Sequence, residues 1–192
     1  MRKWLMAIGF AAILSAPTAH AQAGATVWQI DPVHSDAQFT VRHFGISNVH
    51  GEFTKLTGTV QIDEKDLSQS SVTASIDVGS IDTRSTKRDD DLKSDHFFDA
   101  AKFPTMTFQS TKIWATGEGT AKMTGNLTIH GVMKKVTFDV TGPTAPAEVM
   151  HGTRRGASAT TTIKRDDFGV SADSGMIGDE VTINLDIEMV KQ

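Results

Sequence analysis

The chain predicts an all-β protein: an extended antiparallel barrel of eight to nine strands, with one short helical segment. Three observations point there. Apolar and polar residues alternate with a period of two over most of the length, the mark of strands with one buried and one wet face. Breaks rich in Gly, Pro, Asn and Asp separate the alternating runs, as turns require. No strand–helix rhythm recurs, so an antiparallel sheet closed on itself is favoured over the alternative, a two-sheet sandwich.

The first segment is not expected to belong to the folded domain. Arg2 and Lys3 precede an apolar run over residues 4–16 that is too short to span a bilayer. Ala19-His20-Ala21 follows with the small-x-small pattern of a signal peptidase site, and Ala21-Gln22-Ala23 offers a second. Residues 1–21 therefore read as a signal peptide, cut after residue 21 or 23, and residues 24–192 as one exported domain. Cysteine is absent, which excludes disulfides, thiol catalysis, iron–sulfur clusters and an acylated cysteine anchor. Without Arg2 and Lys3, 17 basic face 23 acidic side chains, a net charge of −6. No basic stripe with interleaved aromatics is present, so nucleic acid is not an expected partner.

The strands follow in order. "DAQFTVRHF" sets Ala37, Phe39, Val41 and His43 on one face; "SVTASIDV" does so with Val72, Ala74, Ile76 and Val78. "AKMTGNLTI" aligns Ala121, Met123, Gly125, Leu127 and Ile129, and "VTFDV" aligns Val136, Phe138 and Val140. "GASATTTIK" contributes Ala157, Ala159, Thr161 and Ile163, and "VTINLDIEM" contributes Val181, Ile183, Leu185, Ile187 and Met189. Turns are expected at Asp31-Pro32, residues 45–51, residues 117–119, His130-Gly131 and residues 141–152.

Between two of these runs lies "STKRDDDLKSDHFFDAAKFP". Thr86 with Asp89 three residues on fits a capping-box helix start, and the acidic residues suit the positive end of a helix dipole. Leu92 and His96 are spaced to share a face that Phe97 or Phe98 would continue. Asp89, Asp90 and Asp91 would point about 100° apart on a helix and so cannot converge on one ion. The segment reads as a cover with a solvated acidic face, not as a metal site.

Inward positions include Gly58, Ala74, Gly125, Ala157 and Ala159. A solid interior packs to a density of about 0.75 and needs volume at such places. Small residues there leave room, and an eight-stranded barrel is about wide enough for one small ligand; Phe side chains from neighbouring strands are the competing way to fill the gaps.

Three motifs carry a family resemblance: "DPVHSDAQFTVRHFGISNVHGEF", "SIDTRSTKRDDDLKSDHFFDAAKFPTMTF" and "GNLTIHGVMKKVTFDV". The sequence resembles the YceI-like proteins over residues 28–189. That resemblance implies a periplasmic, lipocalin-like barrel around an apolar tunnel, with the helical segment covering one end and a polyisoprenoid or similar lipid inside. It singles out His34-Ser35, His43, Gly51-Glu52-Phe53, Arg88-Asp89, Leu92, Phe97-Phe98, Phe103-Pro104 and Leu127-Thr128 before Gly131. Parity and resemblance together name the ligand-contacting residues. The first part of the chain supplies Phe39, Val41, His43, Phe53, Ala74 and Ile76. The cover supplies Leu92, Phe97 and Phe98. The later strands supply Met106, Phe108, Met123, Leu127, Phe138, Ala159 and Ile183.

No catalytic residue, metal or cofactor is expected. Ser35, His43 and an Asp form no recognisable hydrolase arrangement, since no nucleophile elbow is present, and His34, His43 and His50 lack zinc spacing. His34 is expected in a turn or cap. His43, placed by parity on the apolar face, needs a partner there, either within the sheet or on a ligand head group. The expected function is binding, storage or transport of a long-chain isoprenoid or fatty lipid, with transient membrane contact and either a monomer or a homodimer. The alternative is an enzyme acting on a lipid or quinone in the same tunnel, with His43 as acid or base.

Overall fold

Period-two alternation becomes sheet almost wherever it occurs. The computed structural model describes residues 24–192, so the expected signal peptide lies outside the described residues. Twelve strands are present among them. In chain order these are β1 (Thr26–Ile30), β2 (Asp36–His43), β3 (Ser47–Phe53), β4 (Leu56–Ile62), β5 (Ser71–Asp77) and β6 (Ile81–Asp82). After the helix α1 (Thr86–Lys93) come β7 (Thr105–Gly117), β8 (Thr120–Ile129), β9 (Val132–Thr141), β10 (Ala147–Val149), β11 (Gly152–Lys164) and β12 (Ile177–Lys191).

Eight of the strands close a barrel. β11, β9, β8, β7, β5, β4, β1 and β12 pair antiparallel in that order, and β12 returns to β11 over the register from Arg154↔Val190 to Lys164↔Glu180. The remaining strands are explained by kinks: β1 bends into β2, β3 into β4 and β5 into β6, so that β2, β3 and β6 prolong one end of the wall. The short β10 adds to β11. Burial follows parity. In β8 the five residues named above are buried and the residues between them are not.

One expected turn is shorter than residues 45–51. The β2–β3 connection is three residues, 44–46, with Phe44 (φ 50) and Gly45 (φ 67) central to a turn in which the Ile46 amide donates to the His43 carbonyl (2.9 Å), and strand pairing resumes at Ser47 opposite His43. Positive φ at both central residues of the turn matches the twist of a hairpin. Gly51 therefore lies in mid-strand, opposite Phe39.

The kinked end of the barrel is covered by two segments. In the first, the expected capping box does not form. Ser85 is the N-cap and makes no side-chain cap bond; the Asp89 carboxylate instead accepts from the amide (2.9 Å) and hydroxyl (2.5 Å) of Thr83. Arg88 clasps the same residue, donating from Nε to its hydroxyl (2.7 Å) and from Nη2 to its carbonyl (2.6 Å). Buried Thr83, 3 % exposed, outcompetes the helix's own first amides because it brings two donors at once. The helix ends at Lys93, so Phe97 and Phe98 do not continue its face as the spacing suggested. They are folded back by turns, with the Phe98 amide donating to the Leu92 carbonyl and the Ala100 amide to that of Lys93.

The second cover was not foreseen. Arg165, 7 % exposed, donates to the carbonyls of Val170 and Ala172 (2.7 Å each), Gly178 (3.0 Å) and Ile177 (3.1 Å). A guanidinium has five donors in a rigid fork, and here it ties the loop after β11 to the start of β12. Phe168 and Val170 on that loop are buried in the main core. The opposite end is closed by Trp28, Ile62 and Met189. Arg155 lies over the Trp28 ring at 5.5 Å and bonds to Glu64 and the Thr144 carbonyl.

Candidate ligand-binding cavity

Inside the barrel is a cavity of about 490 Å³, within the range of about 300–1,000 Å³ usual for small-molecule sites. It extends from Leu92, Phe97 and Phe98 under the first cover to Ile62, Leu67 and Pro143 near the far floor. Its lining follows β12 from Ile177 to Met189, about 40 Å of strand at about 3.4 Å per residue. The wall is aliphatic and aromatic through its middle. A buried water needs two to four polar partners, and this stretch of wall offers hydrocarbon instead.

All sixteen residues singled out from the sequence line this cavity. Phe39, Phe53 and Phe98 form a chain of rings, with centroids 5.7 Å and then 6.0 Å apart, that joins the β2–β3 wall to the cover. Phe108 and Phe138 meet edge to face at 5.3 Å on the β7–β9 wall. Ala74, Ala157 and Ala159 line the lumen, as small inward residues were expected to.

The inward glycines are different. A Cβ on Gly125 would fall 2.4 Å from the tip of the Phe108 ring and 2.5 Å from the Gln109 carbonyl; one on Gly58 would fall 2.4 Å from the Thr73 carbonyl. At Gly125 the competing explanation, a Phe ring from the neighbouring strand, holds; at Gly58 the space is taken by the Thr73 carbonyl and the Ile30 side chain. The room comes from the alanines.

Polar groups gather at the covered rim, where Arg42, His43, Arg88, Asp91 and Asp173 reach the cavity. His43 is exposed, not buried on the apolar face. β2 overruns the rim at its last residue, so alternation no longer selects inside from outside. The imidazole packs edge-on against Phe44 at 4.4 Å. The three adjacent aspartates diverge as helical spacing requires: Asp89 to Thr83, Asp90 to Lys93 at 3.0 Å, Asp91 to His96 at 3.5 Å.

The His34-Ser35 pair is structural. Ser35 Oγ donates to the Glu188 carbonyl and accepts from its amide, stapling the β1–β2 kink to β12. His34 Nδ1 lies 3.0 Å from Asp31 Oδ2. Asp31, His34 and Glu188 are the one group within common metal-ligand reach among the described residues, and Arg154 occupies that space, donating to both carboxylates. The Arg154 guanidinium, then His34 and the Val33 amide, hold the Asp31 carboxyl well below the usual carboxylate range. The two carboxylates in turn push Arg154 up.

Three comparisons bear on this architecture. The model of the YceI-like domain matches residues 28–189. A UPF0312 protein of Vibrio cholerae is 35% identical over 170 residues, which cover 88% of this chain and 89% of that protein. Among solved structures, BcnA of Burkholderia cenocepacia superposes with a TM-score of 0.74 at 28% identity, covering 83% of this chain and 98% of that one. A polyisoprenoid-binding domain from Saccharophagus degradans, implicated in plant cell wall breakdown, shares the fold with a TM-score of 0.63 at 15% identity, over 87% of this chain and 99% of that one.

Proposed function

The chain belongs to the YceI-like family, and from that premise we propose that it binds and carries a long-chain isoprenoid or related lipid within its barrel, in the periplasm after export. The observation that carries this is the long lumen, about 490 Å³, whose lining is predominantly apolar and whose charged residues gather at the covered rim. Each methylene moved from water to such a wall gains about 0.8 kcal/mol, so a long chain is held without a strong head-group contact. The fold shared with a polyisoprenoid-binding domain supports the same ligand class.

Phe44 and Ile46, 53% and 82% exposed, stand at the covered rim beside Met176, whose carbonyl accepts from the Phe44 amide. They are suited to transient contact with a bilayer while a lipid passes in or out. Uptake of geranylgeraniol from donor vesicles and its release to acceptor vesicles tests carriage. The expected result is transfer with the alcohol chemically unchanged. Conversion to a product during transfer would replace the carrier by an enzyme, and failure to extract any apolar chain would remove the lipid ligand altogether.

A further inference from the structure

Two phenylalanines of the wall lie over glycines. Phe39 faces Gly51 across the β2–β3 ladder, and a Cβ on Gly51 would fall 2.4 Å and 2.7 Å from two atoms at the end of its ring. Phe108 lies diagonally over Gly125 in the β7–β8 pair, where an added Cβ would fall 2.4 Å and 2.6 Å from its ring tip. Ordinary contact begins near 3.4 Å. In each pair the ring edge therefore fills the place a side chain would take on the next strand. The rings lie along the wall and do not reach toward the axis. The two pairs belong to strands that are not neighbours in the sheet.

We propose that the pairs Gly51/Phe39 and Gly125/Phe108 set the bore of the cavity and thereby admit a methyl-branched chain. This rests on the carrier function proposed above and adds the determinant of its selectivity. A methyl group on either glycine has to lift the ring by about an ångström, toward the lumen, because the strand backbone closes the other side. A straight polymethylene chain has a narrow, uniform cross-section. An isoprenoid chain bears methyl groups at regular intervals and needs the wider bore along its whole length. Apolar pockets discriminate one such carbon by about 10–200-fold. Gly51 is the cleaner probe of the two. The atoms nearest its added Cβ are side-chain atoms of Phe39 and Thr83, whereas Gly125 also meets the Gln109 carbonyl, beside the register shift between Ser110 and Lys112.

The test compares geranylgeraniol with n-hexadecanol, which has the same main-chain length without branches, by titration into the lipid-stripped protein. The native chain is expected to bind both. Gly51→Ala is expected to lose affinity for the branched alcohol by about tenfold or more while the straight one changes by less than about threefold. The double variant Gly51→Ala/Phe39→Leu, which shortens the displaced side chain, is expected to recover the branched alcohol. Equal losses for both alcohols in Gly51→Ala, no loss for either, or no recovery in the double variant would overturn the inference while leaving the carrier function standing. A native protein that binds neither alcohol would overturn both. Should Gly51→Ala fail to fold, Phe39→Trp makes the same test by overfilling the seat from the other side. A selective loss of the branched alcohol supports the proposal, and an unchanged preference overturns it.

Discussion

Asp89 shares one carboxylate oxygen between the amide and the hydroxyl of buried Thr83, while its neighbour Asp90 meets only the Lys93 ammonium on a surface where the Asp90 side chain is 67% exposed. Hydrogen bonds to a charged group contribute about 1.5–3 kcal/mol each, and an exposed ion pair contributes about 0.2–1 kcal/mol. Asp89→Ala should therefore destabilise the protein by about 2 kcal/mol in a urea titration, and Asp90→Ser should change it by less than about 0.5 kcal/mol. Equal effects would mean that Thr83 is not the anchor of the cover. The acid limb of stability has its own residue. Asp31 titrates lower in the fold than in the unfolded chain because Arg154 bonds its charged form. The stability it supplies is complete above the unfolded carboxylate value, about 3.9, and is lost as pH falls toward the depressed folded value. Asp31→Asn should flatten the fall of the urea midpoint below about pH 4; an unchanged acid slope would assign that fall to other carboxylates.

The cover and the floor show how far local pattern extends. Strands of one buried face were legible because parity alone fixes which side chains point inward: β8 follows it residue by residue, as do β9 over residues 135–141 and β11 over residues 157–164. Gly51 was not legible, since a glycine amid Ser, Asn and His looks like turn chemistry. Its reason is a ring from another strand, which no local window contains. The loop at residues 166–176 was missed for a related cause. Phe168-Gly169-Val170 is an apolar island in polar sequence, the one local hint, but its burial depends on Arg165 finding four carbonyls that lie 5 to 13 residues away. Arg165→Lys keeps the charge and loses the planar fork. It should destabilise the fold by about 2–3 kcal/mol and raise amide exchange selectively at residues 166–178. A uniform rise over the barrel, or none at the loop, would show that the loop is held by Phe168 and Val170 alone.

At the scale of the whole molecule, a barrel closed by eight strands has wall area to spare for side chains that face nothing but one another, and here alanines keep part of the lumen open. Ala159 lines the cavity between Val140 and Leu185, its partners on β9 and β12. In a filled interior, Ala159→Phe would overpack by about 1–3 kcal/mol; in an open one the ring takes the place of ligand. The lipid content of protein purified without denaturant, measured by organic extraction and mass spectrometry for the native chain and for Ala159→Phe side by side, puts the hollow barrel to its most direct test. The native chain should carry a long-chain isoprenoid or related lipid, and the variant should carry less of it or a shorter chain while melting, once stripped, close to the native temperature. A native chain that yields no apolar ligand, or a strongly destabilised variant that keeps its full complement, would contradict the hollow barrel and the carrier function with it.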